Sequence, residues 1–277
     1  MRIRAFQPLR PSPEFASQVA SLPYDVVSTE EARSLAAGNP LSMLHVVRAE
    51  IDLPADTDPY SDPVYPRAKE TLDRMTAEGA MIRETEPSLY LYQQQMGDHV
   101  QTGLVALCHI DDYDRGLIKR HEKTRPDKEN DRTRLTDKLS ANTGPVFLTY
   151  RDLQSVNRAI EEATTEIPLY DFTAEDGIRH TIWRVVEGDT LIRHFADAPA
   201  FYVADGHHRA ASAARVARER KMANRDHSGN EDYNWFLTVL FPESELKILP
   251  YNRIVADLNG QAVEAFLETL RGTHGLR

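Results

Sequence analysis

The amino-acid sequence predicts a mixed α/β protein with a large hydrophobic core. The chain has 277 residues, 41% of them hydrophobic, which is enough for one large domain or two modest ones. Short runs rich in β-branched and aromatic residues predict strands, and longer segments with start and stop signals predict helices. Both kinds of segment recur along the chain, and no internal repeat is visible.

The first half of the chain is predicted to contain two helices and a hairpin, after a proline-rich start that should be extended or irregular. Ser28 or Thr29 caps the first helix, and Gly79 ends the second. A Met-Gly-Asp turn separates two strand-like runs and makes them a hairpin. The helices span residues 29–37 and 64–78, and the strands span residues 89–93 and 100–109.

The second half is predicted to mix strands and helices. An alanine-rich segment that begins at His207 favours a long helix. Two strand-like runs on either side of Glu187-Gly188-Asp189 predict a second hairpin. The strands are residues 145–150, 179–186, 190–195, 201–204, 235–241 and 246–251, and the helices are residues 153–164, 207–223 and 259–277.

The net charge of −10 argues against broad contact with nucleic acid, because nonspecific binding depends on neutralising phosphates with basic residues. Residues 119–138 have the opposite balance, with eight basic against five acidic residues, and can attract a small anion. The sequence has no stretch of about 18 apolar residues and no leader-like start. We therefore expect a cytoplasmic protein without a membrane partner, either a monomer or a homo-oligomer.

The residues Asp205-Gly206-His207-His208-Arg209, called here the Asp205 turn, stand between a predicted strand and a predicted helix. A glycine turn at a helix N-terminus presents free backbone N–H groups and the positive end of the helix dipole, which bind anions. We expect the last four residues to bind phosphate, with Arg209 forming two parallel hydrogen bonds. The Asp205 carboxylate suits a general base, a magnesium ligand or a group that orients a histidine. The alternative is that Asp205 only caps the helix.

A second candidate, called here the Arg-His-Glu segment, is residues 119–125, with Arg120, His121, Glu122 and Arg125. Nearby cations would keep Glu122 ionised, so that it could orient or deprotonate a substrate hydroxyl, with His121 as a further catalytic group. The two arginines are candidates for binding phosphate. We expect this segment to face the Asp205 turn, since each supplies half of a phosphoryl-transfer site. The alternative is a solvated, salt-bridged helix face over residues 123–138.

Seven motifs are spread along nearly the whole chain: LPYDVV at 22–27, NPLSMLHV at 39–46, residues 118–125, Asp131-Arg132, ANTGPVF at 141–147, residues 204–210, and LPYNR at 249–253. Together they resemble a bacterial and archaeal family catalogued as domain of unknown function 1015. Members of that family are usually longer, so the resemblance implies that this chain is C-terminally truncated or belongs to a short variant.

The Asp205 turn alone also resembles the ParB/sulfiredoxin-like superfamily, which includes free-serine kinases. That resemblance covers about thirty residues and implies that residues 206–209 hold nucleotide phosphates while Asp205 lies next to the reacting group. It supplies no acidic activator; Glu122 is the candidate and Asp25 the alternative. It also implies a ParB/sulfiredoxin-like core within residues 151–277, accompanied by an N-terminal α/β portion over residues 1–150.

These observations lead us to expect phosphoryl transfer from ATP or ADP, with Mg²⁺, to a small hydroxylated metabolite such as serine. No Walker motif or kinase glycine loop is present to indicate a standard nucleotide site. One alternative is a noncatalytic nucleotide-sensing module. Another is a metal-dependent hydrolase that uses His121, Glu122, His207 and His208.

Overall fold

The computed structural model describes residues 1–250, 252 and 254–275, in two compact units, Met1–Leu246 and Lys247–Arg277. The helices are α1 (Ala16–Val19), α2 (Thr29–Ala36), α3 (Leu44–Val47), α4 (Val64–Ala77), α5 (Ile110–Asp114), α6 (Pro126–Leu139), α7 (Gln154–Ala163), α8 (Asp189–Ala196), α9 (His207–Ala223) and α10 (Val263–His274). The strands are β1 (Ile3–Arg4), β2 (Leu9–Pro11), β3 (Met81–Arg83), β4 (Leu89–Met96), β5 (His99–His109), β6 (Ile118–Lys119), β7 (Val146–Tyr150), β8 (Tyr170–Thr173), β9 (Arg179–Val185), β10 (Phe201–Asp205) and β11 (Trp235–Pro242). Among the described residues, no helix is long and apolar enough to cross a membrane.

A mixed sheet organises the first unit and confirms the predicted mixed α/β class. Its order is β6-β10-β7-β11-β5-β4-β9-β8, with β1 beside β5, and β2 pairs separately with β3. The β6–β10 and β7–β11 pairs are parallel, whereas the other pairs in the sheet are antiparallel. β7, from residues 1–150, lies between β10 and β11, which come from residues 151–277. Both parts of the chain therefore contribute strands to one sheet.

The largest hydrophobic cluster joins the sheet to α7, α8 and α9. Leu148, Phe195 and Phe201 are fully buried in it, and burying each such side chain contributes about 1.5–3 kcal/mol. Alternate residues of β7 are buried, as expected for a strand with one face on a core. This cluster therefore holds β10, which leads into the Asp205 turn, and β7, which pairs with β10 beside it.

A second cluster packs α4 against α6 through Leu72, Met75, Leu135 and Leu139. The charged helix α6 is thus not a wholly solvated face, because part of its surface is buried against neighbouring helices. α6 also packs against α9. The basic segment predicted from the sequence is therefore held beside the helix that follows the Asp205 turn.

Most predicted elements are confirmed within a few residues, among them α2, α4, the β4–β5 hairpin, α7 and α9. The start of α2 shows why. Ser28 Oγ accepts a hydrogen bond from the Glu31 backbone N–H, and the Glu31 carboxylate accepts one from the Ser28 N–H. This capping box satisfies two donors that the helix leaves unpaired.

The second predicted hairpin is wrong, because residues 190–195 belong to helix α8 and β9 pairs with β4 and β8 instead. Leu191 and Phe195, four residues apart, are both buried, and this spacing places them on one helix face. Asp189 lies in the first turn and Arg193 in the last, each at the end of the helix dipole that favours its charge. The pattern of residues 190–195 is compatible with either a strand or a helix. The helix is favoured because it buries Leu191 and Phe195 on the same face.

The two ends of the chain also differ from prediction. The start, predicted to be extended or irregular, contains the short strands β1 and β2, which are extended, but also the helix α1, which was not predicted. The predicted strand 246–251 is absent over residues 246–250, and Tyr251 lies outside the described residues, as does Arg253 of the LPYNR motif. The predicted helix 259–277 is α10, which begins only at Val263 and ends at His274, while residues 276–277 lie outside the described part.

Candidate functional site

The Asp205 turn is a sharp strand-to-helix connection that requires glycine. A register shift between Val203 and Asp205 bends the end of β10. Gly206 follows with a φ of +91°, a conformation that residues with a Cβ rarely adopt. A Cβ at Gly206 would also lie 3.1 Å from both Cζ and Nε of Arg209. The turn therefore depends on glycine for its backbone conformation and for the close approach of the guanidinium.

The N-terminus of α9 has no side-chain cap. Gly206 is the capping residue, and the first helical hydrogen bond runs from the Ala210 N–H to the Gly206 carbonyl. The Asp205 carboxylate instead accepts a hydrogen bond from Arg209 Nη2. The alternative that Asp205 only caps the helix is therefore wrong, and the first backbone N–H groups of α9 keep their anion-binding character.

Arg209 folds back over the turn and closes it. Its Nη1 donates to the Pro145 carbonyl and its Nη2 to Asp205. Its Nε is buried and has no hydrogen-bond partner among the described residues. Gly144 lies against the same guanidinium, since a Cβ there would be 3.6 Å from Nη1. The two-bond grip of Arg209 on a phosphate stays a prediction, and it would require Arg209 to exchange at least one of these partners.

The Arg-His-Glu segment lies beside the Asp205 turn, as the sequence predicted. β6 pairs in parallel with β10, which brings Lys119 opposite Tyr202. The Arg125 backbone N–H donates to His208 Nε2 at 3.1 Å. Glu122 Oε2 lies 3.3 Å from His207 Nδ1. Residues about eighty positions apart in sequence therefore form one cluster.

His207 is the buried member of this cluster, with 4% of its side chain exposed. The His121 ring meets the His207 ring edge to face, with centroids 4.5 Å apart. Burial, together with the neighbouring His121, lowers the pKa of His207 and keeps it neutral near pH 7. His207 Nε2 is buried and has no partner among the described residues.

His208 has a defined tautomer. Because its Nε2 accepts a hydrogen bond from the Arg125 N–H, that nitrogen carries the lone pair and Nδ1 carries the proton. The helix places the two histidines on different sides, so each meets a different part of the Arg-His-Glu segment. His208 links that segment to α9, and this contact fixes where the segment lies.

The two arginines of the segment make other contacts. The Arg120 guanidinium lies over the Tyr113 ring, 4.8 Å from its centroid. The Arg125 side chain is exposed and pairs with Asp127 at 2.6 Å. Their predicted role in binding phosphate stays a prediction.

Tyr24, which sequence reasoning did not select, is linked to the site by the charge of Arg209, which acts on its hydroxyl. The charges of Arg132 and Arg209 both act on its hydroxyl, and burial raises its pKa to about 12 in spite of these cations. The hydroxyl is buried and has no partner among the described residues. The only signal was that Tyr24 stands in the LPYDVV motif beside Asp25, the alternative activator, which is exposed.

A buried network holds Tyr24 in place. The Arg132 guanidinium stacks on the Tyr24 ring at 4.0 Å and pairs with Asp131 at 2.6 Å. Asp131 also accepts a hydrogen bond from the Tyr65 hydroxyl at 3.0 Å. Because Asp131 is nearly fully buried and has two partners, Arg132 and the tyrosine ring it covers have little freedom to move.

The cluster does not fit a magnesium ion held by the protein alone. No group of three or more His, Cys, Asp or Glu side chains could hold a metal ion within the described part of the chain. Asp205, the predicted ligand, is paired with Arg209. The same holds for the predicted hydrolase set of His121, Glu122, His207 and His208, which does not form such a group.

Comparison with known proteins gives one match. The model of the family described as "Protein of unknown function (DUF1015)" matches residues 3–274. No curated protein and no solved structure matches the chain. The match spans the turn, the Arg-His-Glu segment and Tyr24, so the whole candidate site lies inside the matched residues. The chain therefore belongs to the DUF1015 family.

Proposed function

We propose that the Asp205 turn binds the phosphate groups of a nucleotide and that the protein transfers a phosphoryl group to a small hydroxylated metabolite. The observation that carries this proposal is a pair of buried donors, the Tyr24 hydroxyl and Arg209 Nε, that have no partner among the described residues. Each such donor destabilises the fold by about 1–3 kcal/mol. An oxyanion that accepted from both would remove that penalty.

The surroundings of these donors favour a negative ligand. The N-terminus of α9 adds uncapped backbone N–H groups and the positive end of the helix dipole. Among the charges that act on the Tyr24 hydroxyl, that of Arg132 is the largest and Arg209 adds to it, while Asp25 and Asp131 oppose them. At neutral pH that hydroxyl stays protonated, so it is a donor and favours an acceptor ligand.

Arg209 already holds an oxyanion, because the Asp205 carboxylate accepts from its Nη2. A phosphate group offers the same acceptor geometry with more charge, so it can compete with Asp205 for the guanidinium. Binding would then release the Asp205 carboxylate beside the ligand. This exchange is consistent with the predicted place of Asp205 next to the reacting group.

The likeness of the turn to the ParB/sulfiredoxin-like free-serine kinases supports a nucleotide as the phosphate source and serine as a candidate acceptor. The cytoplasm holds the ATP or ADP that such a reaction consumes, and we propose that location. Magnesium would arrive with the nucleotide, since nucleotide phosphates themselves supply oxygen ligands. A nucleotide sensor would use the same turn without transfer.

Product formation tests this proposal. The unmutated chain is incubated with ATP or ADP and a panel of hydroxylated metabolites that includes serine, and phosphorylated product is measured. Arg209→Gln should weaken nucleotide binding about ten- to a hundredfold, the loss expected for a charge-assisted contact. Arg220→Gln, on the same helix but paired with Asp137, is the matched control and should bind like the unmutated chain.

Two results would contradict the proposal. If the unmutated chain and Arg209→Gln bind nucleotide equally weakly, the Asp205 turn is not a phosphate site. If nucleotide binds tightly but no phosphoryl group is transferred to any acceptor, the protein is a nucleotide sensor and not an enzyme.

A further inference from the structure

We propose that His207 Nε2 accepts the proton of the acceptor hydroxyl and that Glu122 positions His207 for this role. The inference rests on the proposed function and names the groups that handle the acceptor. It exchanges the roles predicted from the sequence, in which Glu122 deprotonates the hydroxyl and His207 binds phosphate. The contact between Glu122 Oε2 and His207 Nδ1, at 3.3 Å, is its starting point.

The Glu122 carboxylate, 3.3 Å from His207 Nδ1, favours one tautomer of His207 electrostatically. A carboxylate oxygen has only lone pairs to offer, so the ring nitrogen that faces it is favoured when it carries the proton. In neutral His207 that nitrogen is Nδ1, and Nε2 is left with a lone pair. Burial favours this neutral form, because it lowers the pKa of the ring. Glu122 is thus a positioning residue.

His207 Nε2 then differs in kind from the other unpaired atoms of the site. The Tyr24 hydroxyl and Arg209 Nε are donors, whereas Nε2 in this tautomer is an acceptor, and none of the three has a partner among the described residues. Two donors suit the oxygens of a phosphate, and one acceptor suits a hydroxyl. The cluster therefore has complementary groups for both reactants.

Access to Nε2 depends on the Arg-His-Glu segment. The His121 ring packs against the His207 ring, and both His121 and Glu122 lie on the exposed side of the cluster. Because His207 Nε2 is buried, the acceptor can reach it only if a neighbouring group moves, and the exposed His121 ring that packs against His207 is the candidate.

The reaction balances with these groups. The hydroxyl proton of the acceptor passes to His207 Nε2, and the hydroxyl oxygen forms a bond with the terminal phosphorus of the nucleotide. The bond from that phosphorus to the bridging oxygen breaks, and its electron pair leaves on the shortened nucleotide. His207 carries the proton until it returns to solvent, and Glu122 stabilises the charged ring in the meantime.

The test measures transfer and nucleotide binding separately. His207→Ala should lower kcat about a hundredfold or more, the size of a general-base contribution, and leave nucleotide affinity unchanged within about twofold. Added imidazole should restore part of the rate by filling the space. Glu122→Gln should lower kcat by about tenfold with no loss of nucleotide affinity. Because Glu122 is 60% exposed, this second variant tests the inference even if His207→Ala folds poorly.

A second histidine–carboxylate pair supplies the control. His109 Nδ1 lies 3.7 Å from Asp111 Oδ2, and burial also lowers the pKa of His109. Asp111→Asn should leave kcat unchanged. Full activity of Glu122→Gln, or of His207→Ala without imidazole, would overturn the inference alone. If the unmutated chain does not bind nucleotide, the proposed function and this inference are both wrong.

Discussion

The guanidinium of Arg209 lies against the backbone of Gly206, where any Cβ would come within 3.1 Å of Nε. Gly206, which turns the chain, therefore leaves the space that the Arg209 guanidinium fills. Pro145, from a loop more than sixty residues earlier, completes the arrangement by accepting a hydrogen bond from Arg209.

Gly206→Ala should lower the free energy of unfolding by more than the conformational penalty alone. The positive φ costs about 1–2 kcal/mol for a residue with a Cβ, and displacement of Arg209 adds to it. Gly177→Ala is the matched control, because Gly177 has a φ of +80° and nothing within 4 Å of the added Cβ. Urea unfolding of both variants measures the difference. Equal losses would show that the Arg209 contact contributes nothing.

If residues 189–196 form helix α8, substitutions along it should change the free energy of unfolding in a helical pattern. Phe195→Ala should cost about 3–5 kcal/mol and Leu191→Ala about 2–5 kcal/mol, because both side chains are buried on one helix face. Arg193→Ala should cost less than about 0.5 kcal/mol, since it replaces an exposed residue. In a strand, residues 191, 193 and 195 would share one face, so a large effect at Arg193 would contradict the helix. Denaturant unfolding of the three variants decides.

Local signals were enough for most elements. The capping signals at Ser28 and the alanine-rich run after His207 act within a few residues of the helices they start, and both helices are found. The run 190–195 was wrongly predicted to be a strand, because its six residues fit both periodicities. The packing of Phe195 against Tyr150 and Phe201 favours the helix.

The candidate site was predicted only in part. The strand-turn-helix pattern indicated the Asp205 turn, and complementary chemistry indicated that Glu122 would lie near it. Tyr24 could not be found in this way, because it lies on the N-terminal segment. Its ring contacts Arg132 of α6, and its hydroxyl comes under the charge of Arg209 of α9, only through tertiary packing. The pairing of Arg209 with Asp205 was also missed, since charge alone does not say which anion a guanidinium meets.

Asp205→Asn should strengthen the binding of phosphate or nucleotide about threefold or more, because it removes the carboxylate that competes for Arg209. Transfer should fall if the released carboxylate acts beside the reacting group. Asp171→Asn is the control, because it breaks a pair with Arg179 on β8 and β9, at the end of the sheet opposite β10. Calorimetry with each variant measures affinity. Weaker binding in Asp205→Asn would mean that the pair holds the site together.

The most direct test of the phosphate site is calorimetric titration of Tyr24→Phe with nucleotide. Tyr24→Phe removes a buried donor without a partner and keeps the ring under Arg132, so the fold should be unchanged or slightly more stable. The variant should bind nucleotide about tenfold more weakly, the loss of one hydrogen bond to a charged group. Tyr90→Phe removes another buried hydroxyl without a partner, near Glu84 and Arg184, and should bind like the unmutated chain. Equal nucleotide affinity in all three proteins would contradict a phosphate site at Tyr24 and Arg209.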